Sequence, residues 1–383
     1  MNAISGNLVS KISDHLPQFL IVDNLKVNYK VLNYYKNDFS KFDEEKFIND
    51  FSLPLDWNNI SSDYVDAKTK FDIFYDQISQ FINSHVPLRK LSKRKIKLST
   101  NNFFVNVGKN TDKDIPCGNC CPTSFLKGNF PDSMFLSPFT SVEVDSYISH
   151  MDNNKSTGPY SIPVPLLKIL KTHISPLISS LIDDSFLCGI FPSKLKLAKV
   201  TPVFTKGSRE DKDDYRPISV LSIFSKIFEK AMFKHLYSYL ESRNILYPLQ
   251  FGSRQKCSTN HALIQITESI RNSIDNNEFG YGIFIDLKKA FEKVNHSILL
   301  SKLNHYGVRD KAYDWFQSYL SNREQFVCIN GHKSDSLSIT CGVPQGSAMR
   351  TSRSISSSKI GKTCNKIKFV LKPRIKLNQN MAT

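Results

Sequence analysis

No apolar run in the 383 residues approaches the ~18–20 that a membrane-spanning helix requires. The start, Met1-Asn2-Ala3-Ile4-Ser5-Gly6, lacks the charged lead and apolar block of a secretory signal. Cysteine is scarce and scattered: of eight, only Cys117, Cys120 and Cys121 cluster. That excludes a disulfide-stapled miniprotein and favours a reducing, intracellular setting, nucleus or cytoplasm. The lone Cys-x-x-Cys lacks a second ligand pair at zinc-site spacing. No internal repeat occurs at solenoid periods. What is present, 40% hydrophobic and 22% charged residues, suffices for two or three globular units with a sizeable core.

Acidic residues are the other shortage. The net charge is +16, and no Asp or Glu follows Asp335. A strongly basic chain points to a polyanionic partner, nucleic acid being the commonest. Residues 350–383 hold nine Lys and Arg, so the remaining chain carries +7. This tail is either a nucleic-acid-binding arm or a disordered appendage, and its lack of periodicity favours the second. Another basic run, Arg89 to Lys97, is expected as an exposed linker, with phosphate contact or nuclear import as its functional readings.

Four zones follow. Residues 1–22 are the end of another domain, because the strand-like Phe19-Leu20-Ile21-Val22-Asp23 has no evident partner nearby. Residues 23–149 are helical and charged at first, then loop-rich, with Pro116, Pro122, Pro131 and Pro138 as breakers. Within them Phe71, Phe74, Tyr75, Ile78, Phe81 and Ile82 recur at helical spacing and predict a buried face. Residues 150–349 are denser, with helices expected over 164–188, interrupted at Pro176, and over 223–241. Residues 350–383 are the basic tail. The expected fold class is α+β.

The informative segment runs from Gly280 to His296, GYGIFIDLKKAFEKVNH. A short apolar run ending in Asp286 suits a buried strand that presents a carboxylate beside a turn. Alone this is weak, since such an Asp often caps the next helix. Its company strengthens it: YRPIS (215–219), QFGSR (250–254) and GVPQGS (342–347) stand in order. A loop with glycine at both ends lets backbone approach a ligand, while Gln345 offers a donor and an acceptor.

In this order the strings resemble the reverse transcriptase of non-LTR, LINE-type, jockey-like retrotransposons. KSTGPYSIP (155–163) resembles the opening motif, with Tyr160 where the family usually has Asp. FPSKLKLAKVTPVFTKG (191–207) and SIFSKIFEK (222–230) extend the likeness over residues 150–347. At the N-terminus Ser13-Asp14-His15-Leu16-Pro17 resembles the last motif of the apurinic-type endonuclease that precedes such polymerases.

The resemblance implies a right-hand polymerase, with fingers and an incomplete palm in residues 150–349. Its reaction is two-metal nucleotidyl transfer with Mg²⁺ or Mn²⁺, an RNA template, a DNA primer or target, and deoxynucleoside triphosphates. Asp286 matches the first metal-binding carboxylate, with the Leu287 carbonyl beside it. Phe291 matches the aromatic gate that excludes a 2′-hydroxyl, although a plain core aromatic fits the same spacing. Arg216 matches the clamp on the triphosphate, and Lys199 or Lys206 assists it, the choice being open. Gln345 and Gly346 match the loop on the template and nascent pair. Glu292 replaces a family Asp that is not a metal ligand. Asp14 and His15 match endonuclease residues of a site whose other ligands do not precede them, so no nuclease activity is expected.

Departures from the pattern shape the expectation of activity. After GVPQGS the family continues into a helix and a hairpin with Ala-Asp-Asp; here the sequence reads AMRTSRSISSSK. Nor does a thumb follow. The chain is expected to be a truncated, internally deleted relic or a mis-spliced product that does not polymerise, the alternative role being a non-enzymatic nucleic-acid-binding remnant. The strand before Asp286 is expected to pair with the segment around Phe326–Asn330 or with the missing hairpin.

Overall fold

The computed structural model describes residues 3–7, 18–22, 32–51, 65–93, 101, 103–106, 124, 126, 128–154, 156–205, 207–208, 211–252, 254–283, 291–329, 332–344 and 368–372. They form a mixed α/β structure in which a helical body supports a small mixed sheet.

The body is built from α1 (Glu44–Phe51), α2 (Ala67–His85), α3 (Ser141–Ser149), α4 (Val164–Ile169), α5 (Lys171–Cys188), α6 (Ile223–Ser242), α8 (His296–His305) and α9 (Asp310–Leu320); α7 (Thr259–Asp275) lies largely exposed. Helix α2 starts where the Asp66 carboxylate accepts the N–H groups of Lys68 and Thr69. Its residues Phe71, Phe74, Tyr75, Ile78 and Ile82 recur every three or four positions and are buried, as the spacing predicted. Helix α3 opens on a reciprocal Thr140–Glu143 capping box, and α6 on Ser222, which accepts from Ser225 N. Helix α5 ends at Gly189, whose φ of +67° suits glycine, and a Cβ there would lie 2.7 Å from Asp314 Cβ. The core closes around Trp315, stacked on Tyr319 at 5.5 Å and met edge-on by Phe191 at 5.2 Å. Burying such aromatics contributes roughly 1.5–3 kcal/mol each. Arg309 ties the proline-rich stretch to this body, donating to Phe130 O at 2.7 Å and Pro131 O at 2.9 Å.

The main sheet has five strands: β5 (Leu197–Phe204), β6 (Tyr215–Val220), β8 (Arg323–Ile329), β9 (His332–Lys333) and β10 (Leu337–Ile339). Its order is β10-β8-β5-β6, with β9 also on β8. Strands β5 and β6 form an antiparallel hairpin with Lys199 opposite Val220 and Val203 opposite Arg216. Strand β8 runs parallel to β5, from Leu197↔Glu324 to Val200↔Val327. That pairing stops two residues before Pro202, which has no N–H to donate.

Several expectations need correction. Strand β7 (Phe279–Ile283), which leads toward Asp286, pairs with β11 (Lys368–Lys372); Phe326–Ile329 belongs to β8 in the other sheet. The basic tail therefore contributes a strand, KFVLK, within a segment expected to lack periodicity. Phe19–Val22 does find a partner: β2 (Gln18–Val22) pairs with β1 (Ala3–Asn7). The basic run begins not in a linker but in β4 (Leu88–Lys93), paired with β3 (Leu32–Asn37), so the first part of the chain is not purely helical. The break in the 164–188 helix falls at Leu170, and Pro176 sits inside α5. Pro176, sixth in α5, has no N–H to give to the Thr172 carbonyl yet the helix continues through it, whereas Leu170 ends one helix and begins the next. Among the described residues no helix is long and apolar enough to cross a membrane.

Candidate functional site

The hairpin β5–β6 sorts its side chains by strand alternation. Lys199, Thr201 and Val203 share a face with Arg216, Ile218 and Val220, as the register dictates. Arg216 is exposed and Lys199 half-buried. Four residues of strand separate their levels, roughly 13 Å. Two cations so spaced on one face can meet neighbouring phosphates, but not one oxygen together.

The opposite face carries Val200, Tyr215, Pro217 and Ser219, continued on β8 by Arg323, Gln325 and Val327. Phe104 covers it and packs with Val200 and Val327. Asn101, 2% exposed, holds that cover down. Its Nδ2 donates to Gln325 O at 3.0 Å and Asp335 O at 2.8 Å, and Gln325 Nε2 donates back to Asn101 Oδ1 at 3.2 Å.

Next to this cover a cleft is lined by Pro217, Ser219, Glu292, Arg323, Gln325 and the Gly342–Pro344 loop. The loop is pinned from below. Val343 N donates to Phe291 O at 2.9 Å, and Gly342 N to Val294 O at 2.8 Å. The His296 ring Nε2 donates to Gly342 O at 2.7 Å. Gly342 has φ of +84°, and a Cβ there would sit 2.8 Å from Glu292 O. Only glycine lets the two backbones approach so closely. The motif around Phe291 and the Gly342 loop, some fifty residues apart in sequence, are thus brought together.

The cleft lining pairs one cation, Arg323, with one carboxylate, Glu292, and two further basic groups sit close to Arg323. Burial, and then the charge of Arg323, push the Lys196 ammonium down to about 8. Burial lowers the His296 pKa, with the Gly342 carbonyl opposing and Arg323 adding to the shift. His296 is therefore neutral at pH 7, and its proton stays on the nitrogen that holds the loop. Lys196, His296, Arg323 and Asn101 were not singled out from sequence. A buried arginine at the start of a strand reads as an ordinary surface charge, and only the sheet register shows otherwise.

Of the residues picked from sequence, Lys199, Arg216 and Phe291 are placed, Phe291 being half-buried with its carbonyl on the loop. Asp286, Leu287, Lys206, Gln345, Gly346, Asp14 and His15 lie outside the described residues, as do Cys117, Cys120 and Cys121. Two motif residues have structural work. Tyr160, standing where Asp was expected, donates its hydroxyl to Lys194 O at 2.7 Å. Arg254 of QFGSR grips Glu241 through Nε and Nη2, both at 2.8 Å. Among the described residues no group of three or more His, Cys, Asp and Glu could hold a metal ion.

Residues 205–355 match the family model described as reverse transcriptase (RNA-dependent DNA polymerase). The chain is 30% identical over 224 residues to the "Probable RNA-directed DNA polymerase from transposon BS" of Drosophila melanogaster, covering 57% of this chain and 24% of that protein. It is 27% identical over 226 residues to the "RNA-directed DNA polymerase from mobile element jockey" of the same organism, covering 59% and 25%. The R1DM element's "Putative 115 kDa protein", also from D. melanogaster, is 29% identical over 208 residues, covering 54% and 20%. The chain spans about a quarter or less of the length of these relatives. Residues 205–355, which hold both the Phe291 turn and the Gly342 loop bonded to it, thus carry a reverse transcriptase match, and the chain is similar to RNA-directed DNA polymerases of the jockey and BS elements.

Proposed function

We propose that this chain is the fingers and part of the palm of an RNA-directed DNA polymerase, and that it holds an RNA template, a DNA primer and a deoxynucleoside triphosphate. The observation that supports this best is the bond from Val343 N to Phe291 O, which joins the loop of one motif to the turn of another. In this reading Arg216, exposed on its strand, takes triphosphate oxygens through its planar fork, and Lys199 supplies charge on the same face. Phe291 lies under the incoming sugar, where bulk selects against a 2′-hydroxyl. By the motif match, Gln345 and Gly346 contact the template and nascent pair. The basic tail adds non-specific attraction.

When bound, divalent ions would supply charge neutralisation at the transferring phosphate. Asp286 is the one carboxylate that the motif match supplies for them in these 383 residues, with the Leu287 carbonyl as a neutral neighbour. One carboxylate does not fix two ions, so the chain's own contribution is binding and orientation. We therefore expect hybrid binding without primer extension.

The test is a labelled RNA–DNA primer–template titrated with the purified chain at several salt concentrations, followed by extension with Mg²⁺ or Mn²⁺. Binding should weaken with salt by roughly 0.7–0.9 log units per log unit for each phosphate neutralised. Arg216→Ala should reduce that slope by about one phosphate. A chain that does not bind the hybrid at low salt would defeat the proposal. Extension that Asp286→Ala abolishes would show a complete catalytic site and overturn the expectation of binding alone.

A further inference from the structure

The Arg323 side chain is 1% exposed, yet its bonding is half finished. Nη1 donates to Tyr319 O at 3.1 Å, and the guanidinium lies over the Tyr319 ring at 4.7 Å. That ring is itself fixed, because its hydroxyl donates to Glu229 Oε1 at 3.0 Å. Nε and Nη2 have no hydrogen-bond acceptor among the described residues. These two atoms form one edge of the guanidinium, a pair of parallel N–H donors matched to two oxygens of one oxyanion. The same edge of Arg254 holds both oxygens of Glu241.

A buried donor edge without an acceptor is costly, and more so when charged. The cost here is raised by a second buried cation just ahead of the strand, Lys196, whose Nζ donates to Ser318 Oγ at 3.4 Å. Lys196 is 8% exposed, and the positive charge of Arg323 helps to depress its pKa. The side chain is aimed by its stack on Tyr319 and lines the cleft under the Gly342–Pro344 loop.

We propose that Arg323 is a phosphate receptor, its Nε–Nη2 edge taking two oxygens of a backbone phosphate from the nucleic-acid strand that crosses the Gly342–Pro344 loop. The identity of the strand rests on the polymerase reading above; the anion chemistry rests on the arginine alone. Phosphate suits the edge because its two non-bridging oxygens match the donor spacing and its charge offsets both cations. Both nitrogens are sealed from water, so the phosphate enters as the loop parts from Pro217 and Ser219. Once inside, the pair is shielded from competing water and salt. This site is on the opposite face of the hairpin from Arg216 and Lys199, and is therefore separate from theirs.

The test uses the full chain with two probes, inorganic phosphate and the RNA–DNA hybrid. Thermal unfolding is followed in sodium phosphate and in sodium chloride at matched ionic strength. The wild-type midpoint should rise with phosphate, and the rise should vanish in Arg323→Lys, which keeps the charge but loses the fork, and in Arg323→Gln. The exposed Arg271→Ala should retain it. Hybrid affinity should fall about tenfold in Arg323→Lys, the loss of one charged hydrogen-bond pair. If one variant fails to fold, the other and the wild-type titration still decide. No phosphate-specific rise in the wild type, or a full rise in both variants, overturns the receptor. A rise lost in the variants with no hybrid binding by the wild type supports the anion site and sinks the polymerase reading. A rise lost with hybrid affinity unchanged overturns the strand assignment.

Discussion

Arg254 and Arg323 present the same guanidinium edge in two regions of the molecule, and their surroundings differ. Around Arg254 the helical body closes on itself. Glu241, thirteen residues earlier, takes the edge, Tyr247 O accepts from Nη1 at 3.2 Å, and Tyr237 donates its hydroxyl to Glu241 at 2.6 Å. Around Arg323 the sheet leaves the edge without an acceptor among the described residues and brings Lys196 close. The first arginine is satisfied within the fold and holds a loop; the second is positioned but not discharged. A folded chain tolerates few such groups, so an arginine of this kind marks a place where ligand chemistry is expected.

The largest effect expected from breaking this contrast is at Lys196. Its folded pKa of about 8 lies below the ordinary value of 10.5, so the folded state binds fewer protons than the unfolded state between those limits. Stability therefore rises with pH across that window, and the penalty is fully present below pH 8. Lys196→Met keeps the buried stem and removes the charge. At pH 7 it should stabilise the chain by up to about 3 kcal/mol, an advantage that shrinks toward pH 10.5. Urea unfolding of both proteins at pH 7, 9 and 10.5 measures it. A variant less stable at pH 7 would show that Lys196 is compensated by an interaction outside this account.

Truncating the two arginines alike should separate them by a smaller margin. Arg254→Met strands the Glu241 carboxylate and frees the turn after Tyr247; with both side chains partly exposed the loss is about 1–2 kcal/mol. Arg323→Met removes a cation whose edge has no acceptor and preserves apolar contact with Tyr319. It should be neutral or slightly stabilising in chloride buffer. Equal losses at both positions, measured by denaturant midpoint, would erase the contrast and mean that Arg323 is already satisfied.

This contrast was not legible in the sequence, although much around it was. Helical faces were, because Phe71, Phe74, Tyr75, Ile78 and Ile82 repeat with the turn of the helix, and 223–241 nearly matches the observed α6. The motif strings picked out Lys199, Arg216 and Phe291, which the fold sets on the β5–β6 hairpin and beside the Gly342 loop. Strand partners were not legible. β8 pairs with β5 across more than a hundred residues, and nothing in REQFVCI states that register. Once the register is known, Arg323 and Gln325 turn to the covered face and Glu324 and Phe326 to the other. Asn101 escaped for the same reason, its value lying in two carbonyls over two hundred residues away. Local periodicity decides elements, while long-range pairing decides which polar groups end up buried.

The smallest expected effect sharpens the link between the two buried cations. Arg323 contributes to the depression of the Lys196 pKa, but burial is the larger cause. Removing the arginine should therefore move the lysine back toward its ordinary value only in part. In Arg323→Met, the pH at which Lys196→Met ceases to stabilise should still be set by the unfolded lysine. The advantage at pH 7 should shrink, because the folded pKa is less depressed. A double-mutant cycle between the positions, followed by denaturant unfolding at pH 7, isolates this coupling. Phosphate should mimic the mutation in part, since its charge raises the Lys196 pKa while leaving Arg323 in place. The cycle in phosphate should accordingly show a weaker repulsion than the cycle in chloride. No coupling in chloride would mean that the two cations are screened from each other, and the argument for an anion there would rest on the unpaired guanidinium edge alone.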